Sequence, residues 1–297
     1  MCVTSPPYFG LRDYKVEGQI GLEETPEQYI AAMVEVFRCV WDVLADDGTL
    51  WLNIGDSYAR TGGTDSKVSP TAKVGSTRNT MEQMGDRTSK TPAGCKSKDL
   101  IGIPWMLAFA LRADGWYLRQ EIIWHKPNPM PESVTDRCTK AHESIFLLAK
   151  QPKYFIDPEG LKEPAVKGPQ KMQANPETAR LRSVGPMARG AEGFNHQYAD
   201  RERVWAADGM RNKRSVWTVA TKPYKGAHFA VFPEALIEPC VLAGSRVGDT
   251  VLDPFGGSGT TAGTAAKYGR KSILCELNPD YMSLIPSRVE KIAGSVK

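Results

Sequence analysis

Asp253-Pro254-Phe255-Gly256-Gly257-Ser258-Gly259-Thr260-Thr261 decides how the chain is built. It is preceded by a short apolar run from Thr250 to Asp253 and followed by a segment from about Ser258 to Tyr268 that reads as a helix. A second apolar run, Lys271 to Glu276, and a further helical pattern from about Pro279 to Ile292 complete a β-α-β-α series. A strand, a glycine-rich turn and a helix in that order form a nucleotide-binding crevice at the strand's carboxyl end. The glycines are expected to let the backbone approach a ligand where any side chain would collide with it. Glu276, ending the next strand, is placed to accept hydrogen bonds from both hydroxyls of a ribose. A dinucleotide fold competes, because an acidic residue about 20 positions past a glycine-rich turn also suits NAD. The spacing here, however, is Phe-x-Gly-x-Gly and not G-x-G-x-x-G.

Upstream the alternation continues. Apolar residues from Tyr29 to Leu44 recur at intervals of three and four, which predicts an amphipathic helix over 26–44 with Thr25 as N-cap and Pro26 in the first turn. Thr49 to Ile54, bounded by Gly48 and Gly55, reads as a buried strand. A helix is predicted over 104–113, stopping at Asp114-Gly115, with strands at about 117–124 and 143–149. Strand and helix alternating throughout predict an α/β fold, a mostly parallel sheet covered by helices on both faces.

The 297 residues, 41% of them hydrophobic, can bury one sizeable core and leave room for surface insertions. A membrane span needs about 18 consecutive apolar residues, and the sequence holds no such run. A secretory leader is not evident either, so a soluble, cytoplasmic protein is expected. The six cysteines stand without a C-x-x-C pair, which argues against a zinc site and against a disulfide framework. The net charge of +4 is unevenly spread. Basic residues outnumber acidic ones eight to three between 57 and 98, and thirteen to six between 162 and 225, leaving the remainder acidic. Both stretches are rich in Gly, Ser, Thr and Pro and read as insertions. Cationic segments on an acidic body suit a polyanionic partner, although solvated loops would look the same from charge alone.

Near the other end stands Thr4-Ser5-Pro6-Pro7-Tyr8, which alone would read as a surface proline turn. It and the Asp253 to Thr261 stretch together resemble the catalytic and cofactor motifs of the DNA amino-methyltransferases. These enzymes move a methyl group from S-adenosylmethionine to an exocyclic base nitrogen. The segments Leu52 to Tyr58, Gly115 to Pro129 and His142 to Leu148 look like those that follow that motif in the family. His228 to Leu236 resembles the motif that precedes the cofactor turn. Catalytic motif first and cofactor motif last, with a variable basic region between, is similar to the permuted β group. Methyltransferases of RNA, protein and small molecules that carry an Asn-Pro-Pro-Tyr motif usually place the cofactor turn first.

The resemblance implies a Rossmann-like methyltransferase fold with circularly permuted motifs and a target-recognition insertion. S-adenosyl-L-methionine is the implied cofactor, and double-stranded DNA and a second copy of the chain are the implied partners, with no metal. Residues 1–56 and 99–161 would form the catalytic core, 57–98 a DNA-contacting loop, 162–225 the target-recognition region and 226–297 the cofactor-binding part. Thr4, His228, Phe229, Pro233, Asp253, Phe255, Gly257, Ser258, Gly259, Thr260, Thr261 and Glu276 would surround the cofactor. Ser5, Pro6, Pro7 and Tyr8 would handle the base. An exocyclic amino group is a poor nucleophile because its lone pair is delocalised into the ring. The Ser5 hydroxyl and Pro6 carbonyl, accepting its two N–H bonds, would aim that lone pair at the sulfonium methyl. Tyr8 would stack on a base turned out of the duplex, and no cysteine nucleophile is needed. Ser at the first motif position is more usual for cytosine N4 than for adenine N6. Only Met1-Cys2-Val3 precede Thr4, fewer than the roughly five residues of a typical strand. Either a longer reading frame or a stub strand would account for this. Two rivals stand: a DNA-binding regulator using the cofactor as an effector, and an RNA amino-methyltransferase.

Overall fold

In a computed structural model of the chain, the residues described are 1–59, 91–165, 170–171, 204–205, 209–221 and 232–295. Most of the two basic segments, and with them His228 and Phe229, lie outside these residues.

The main unit comprises Met1–Gly160 and Arg214–Lys297. Its strands are β1 (Cys2–Thr4), β2 (Thr49–Ile54), β3 (Tyr117–His125), β4 (His142–Ala149), β9 (Val216–Thr218), β10 (Thr250–Asp253) and β11 (Lys271–Leu274). They form one seven-stranded sheet in the order β11-β10-β1-β2-β4-β3-β9. Every neighbouring pair is parallel except those made by β4, which runs antiparallel to both β2 and β3. The mostly parallel sheet is therefore present, with one reversed strand filling the gap between β2 and β3.

The strand β1, three residues as described, lies at the centre of the sheet. Cys2 pairs with Leu252 on one side and Leu50 on the other, and all three residues of β1 are buried. The Met1 carbonyl accepts from Leu252 N at 2.9 Å, which extends the ladder by one bond. Hydrogen bonding on both edges compensates for brevity.

Helix α1 (Pro26–Val43) starts as predicted: Thr25 and Gln28 form a reciprocal capping box with Pro26 at the first position. Its buried stripe Tyr29, Ile30, Met33, Phe37 and Val40 packs with Leu107, Ala108 and Leu111 of α2 (Ile103–Ala113) over Leu50, Leu52 and Ile54 of β2. Trp51 points to the opposite face, where a Cβ on Gly244, the last residue of α3 (Glu234–Gly244), would lie 2.8 Å from its indole nitrogen. This strict alternation along β2 puts helices on both faces. Burying Leu- or Phe-sized side chains is worth about 1.5–3 kcal/mol each, and this core supplies more than a dozen.

After β10, α4 (Thr260–Lys267) leads to β11. The single helix expected from Pro279 to Ile292 is instead two, α5 (Pro279–Met282) and α6 (Ile285–Ala293). Pro286 explains the break: it has no N–H to give the Met282 carbonyl, and its ring would crowd that oxygen. The predicted strand Lys271 to Glu276 stops at Leu274, so Glu276 lies in the following loop.

A second compact unit spans Leu161–Lys213. It holds β5 (Lys162–Pro164) antiparallel to β8 (Met210–Asn212), and β6 (Gln170–Lys171) antiparallel to β7 (Val204–Trp205). Arg211 and Glu163 pair at 2.9 Å across the β5–β8 strand pair. Val216–Thr218, although within the segment 162–225, belongs to the main sheet, and Trp217 is buried there with its indole donating to Arg214 O at 2.8 Å.

Among the described residues no helix is long and apolar enough to cross a membrane.

Candidate active site

Because β1 and β10 are adjacent and parallel, the two loops leaving their carboxyl ends emerge side by side. A buried carboxylate fastens one to the other. Asp253 Oδ1 accepts from Thr4 Oγ1 at 2.6 Å and from Phe255 N at 3.0 Å, and Oδ2 accepts from Thr261 Oγ1 at 2.6 Å. Asp253 is 1% exposed, and burial outweighs these hydrogen bonds, so its carboxyl is pushed up to about 6.

The two loops share one cavity of about 350 Å³, inside the range of roughly 300–1,000 Å³ common for small-molecule sites. Ser5, Pro6, Pro7 and Tyr8 line one part, and Asp253, Phe255, Gly257, Ser258 and Thr260 another. Glu276 closes the donor side, its Oε2 accepting from Gly257 N at 2.7 Å and its Oε1 from Asn278 N at 2.8 Å. Each oxygen keeps a lone pair for a further donor. Ser258 Oγ is buried without a hydrogen-bond partner, and it stands in the cavity wall just ahead of α4, whose first amides favour a carboxylate or similar acceptor. A ribose at Glu276 and an amino-acid moiety near Asp253 and Ser258 match this donor set, so the residues present fit S-adenosylmethionine.

Several residues expected at the cofactor also have roles within the protein. Thr4 and Thr261 are fully buried and grip Asp253 without lining the cavity. Gly256 and Gly259 also have packing reasons to be small: added Cβ atoms would lie 2.9 Å from Leu274 Cβ and 3.0 Å from Ile285 Cγ2, and Gly256 lines the cavity as well. Gly259 also adopts a left-handed φ of +86° as the cap of α4. Gly257, at φ +52°, is the glycine of the two expected positions that forms the wall. Pro233 is buried ahead of α3, and its neighbour Phe232 reaches the cavity.

On the acceptor side the Pro7 carbonyl takes the Tyr29 hydroxyl at 2.7 Å, so it is already engaged. The Tyr8 ring rests on Gly55, where a Cβ would come within 2.5 Å of it. Its hydroxyl donates to Glu143 Oε2 at 2.7 Å, with Asn53 Oδ1 at 3.4 Å. Burial first, and then Glu143, push the phenol well above its ordinary range, so it stays protonated and able to donate. Sequence reasoning gave Asn53 and Glu143 no role, although both lie in segments that carry the resemblance. It also passed over Tyr14 and Tyr281, which meet edge to face at 6.3 Å in the cavity wall. Nothing in their spacing marks them, since they come together only in the fold. Cys2 is buried in β1 with its thiol pushed well above the usual range, first by burial.

A nucleotide-type cleft beside an aromatic-lined pocket, within one cavity, fits an enzyme of group transfer. A profile of the DNA methylase family matches residues 1–287. The Type II methyltransferase M.XycI of Xanthomonas campestris pv. cyanopsidis is 45% identical over 288 residues, 97% of this chain and 80% of its own. M.SmaI of Serratia marcescens is 46% identical over 287 residues, 97% of this chain and 82% of its own. Among solved structures, the cytosine-N4-specific PvuII DNA methyltransferase superposes with a TM-score of 0.57 at 17% identity, covering 99% of this chain and 83% of its own. TTHA0409 of Thermus thermophilus, solved with S-adenosyl-L-methionine, gives 0.55 at 23% identity over 99% and 86%. The chain belongs to the N6/N4 DNA methylase family, whose members are DNA amino-methyltransferases dependent on S-adenosyl-L-methionine.

Proposed function

We propose that the protein methylates the exocyclic amino nitrogen of one base within a specific DNA sequence, adenine N6 or cytosine N4, with Ser5 favouring cytosine N4. The observation that carries this is the common cavity: Tyr8 and Gly257 lie in one wall although they come from opposite ends of the sequence. Glu276 would hold the ribose of S-adenosylmethionine, and the glycine turn with Asp253 its methionine part. Bound there, the donor supplies an activated methyl group on a sulfonium. A base turned out of the duplex would stack on Tyr8, which rests on Gly55. Ser5 Oγ and the Pro6 carbonyl would take its amino hydrogens, turning the nitrogen's lone pair toward the methyl for a direct in-line displacement.

Positions 162–225 are assigned to target recognition and 57–98 to the phosphate backbone, with a homodimer as the working assembly. The relatives' designation as Type II methyltransferases supports a restriction-modification role, in which the modified site is protected from a matching nuclease.

The test is incubation with labelled S-adenosylmethionine and DNA of mixed sequence, then nucleoside analysis that separates N6-methyladenine from N4-methylcytosine. One of these two products is expected. Cofactor binding with no transfer would favour the regulator, and label entering structured RNA in preference to DNA would favour the RNA enzyme.

A further inference from the structure

The rim beneath Tyr8 is built from three strands that the transfer reaction, as described so far, does not use. Asn53 comes from the carboxyl end of β2, Lys126 follows β3 directly, and Glu143 is the second residue of β4. A parallel strand would begin at the far end of the sheet. Because β4 is reversed, its first residues instead reach the end where the substrate loops emerge, with Glu143 opposite Trp124. There Glu143 Oε2 accepts from the Tyr8 hydroxyl at 2.7 Å and from Asn53 Nδ2 at 3.3 Å. Its other oxygen pairs with Lys126 Nζ, which sits 4.3 Å from the centre of the Trp124 ring. The Asn53 amide also donates to Ser144 O at 3.2 Å, fixing its orientation.

The pair is mostly withdrawn from water, with side-chain exposures of 18% for Lys126 and 14% for Glu143. Taking such charges out of water costs several kcal/mol unless each is well paired, so burial of this kind rarely adds stability by itself. What it does secure is direction. A carboxyl oxygen is a good acceptor for a phenol, and this one meets the hydroxyl while Gly55 backs the ring. Neither Asn53, Lys126 nor Glu143 lines the cavity, whereas Tyr8 does.

We propose that Glu143, held by Lys126, is a positioning residue for methyl transfer: it fixes the tilt of the Tyr8 ring, and through that ring the angle at which the target amino group meets the donor. The proposal rests on the base-stacking role assigned to Tyr8. Its effect belongs to turnover and not to cofactor affinity, because the carboxylate acts only through the phenol.

The experiment is a double-mutant cycle on methyl transfer to mixed-sequence DNA, using Glu143→Ala, Tyr8→Phe and the two combined, with Glu143→Gln as the conservative variant. Glu143→Ala is expected to lower kcat about a hundredfold, the scale of a misplacement near 1 Å. Its Kd for S-adenosylmethionine should stay within about twofold of the parent, which also shows that the variant folds. Glu143→Gln, whose amide oxygen still accepts from the phenol, should recover most of the loss. Tyr8→Phe should lose about as much as Glu143→Ala, and the combined variant no more than Tyr8→Phe alone. Losses that multiply in the combined variant would overturn the proposal, as would full activity in Glu143→Ala. If the parent enzyme itself transferred no methyl to DNA, the stacking role would fall first and this inference with it. A parent that is active beside an unaffected Glu143→Ala isolates the failure to the carboxylate.

Discussion

The two halves of the site, proposed to hold the methyl donor and the acceptor base, leave neighbouring strands, yet they are held in opposite ways. On the donor side the contacts are mostly local: Asp253 with Phe255 and Thr261, and Glu276 with Gly257 and Asn278. On the acceptor side Tyr8 and Pro7 are held by Asn53, Gly55, Glu143 and Tyr29, which come from two other strands, a loop and a helix. A locally closed turn can carry its instructions in a short motif. A pocket floor assembled from distant elements cannot, and it depends on the whole sheet being in register.

The largest expected break in this contrast is Asp253→Ala, since this residue serves both halves. Removing it leaves the buried Thr4 and Thr261 hydroxyls without an acceptor, at about 1–3 kcal/mol each. Cofactor binding by calorimetry should be abolished and the melting temperature should fall. Next come Ser5→Ala and Tyr8→Ala, each expected to lower kcat by roughly a hundredfold or more while the Kd for S-adenosylmethionine changes little. A loss of cofactor affinity equal to the loss of turnover would show that the halves are not separable.

A third outcome concerns pH. With its carboxyl raised from 3.8 to about 6, Asp253 holds its proton more tightly in the folded protein than in the unfolded chain. Its contribution to stability is therefore greatest below pH 4 and is lost as pH rises through about 6. A cationic donor favours the ionised form. Cofactor affinity should accordingly climb between pH 5 and 7, by at most about tenfold per unit, and then level off; Asp253→Asn should flatten that rise. The smallest effect is Gly259→Ala, where the left-handed φ of +86° and the Ile285 contact should cost on the order of 1–3 kcal/mol. It should lower the melting temperature and leave transfer active.

Legibility in the sequence follows the same division. The β10 turn and the capped α1 stripe declare themselves in short windows and stand where their spacing placed them, and Glu276 meets the turn from the loop after β11 and not from the end of that strand. The roles within the turn are less visible. Whether a glycine faces ligand or protein depends on Leu274 and Ile285, which no local pattern announces. A single helix over 279–292 runs through Pro286, although a proline that deep in the pattern is a stop signal. The reversed β4 escapes because its run of buried residues, Ile145 to Ala149, looks the same in either direction. Glu143, Lys126 and Asn53 escape with it, as their meeting depends on that reversal.

The short central strand carries one last implication, for synthesis. β1 leaves the ribosome before the rest of its sheet, but one of its two flanking partners is made some 249 residues later. Until then β1 has no partner on its β10 side. The cost of closing a loop grows only slowly with its length, so the separation in sequence does not forbid the join. A chain that ends before Asp253 lacks the carboxylate that ties the two loops together.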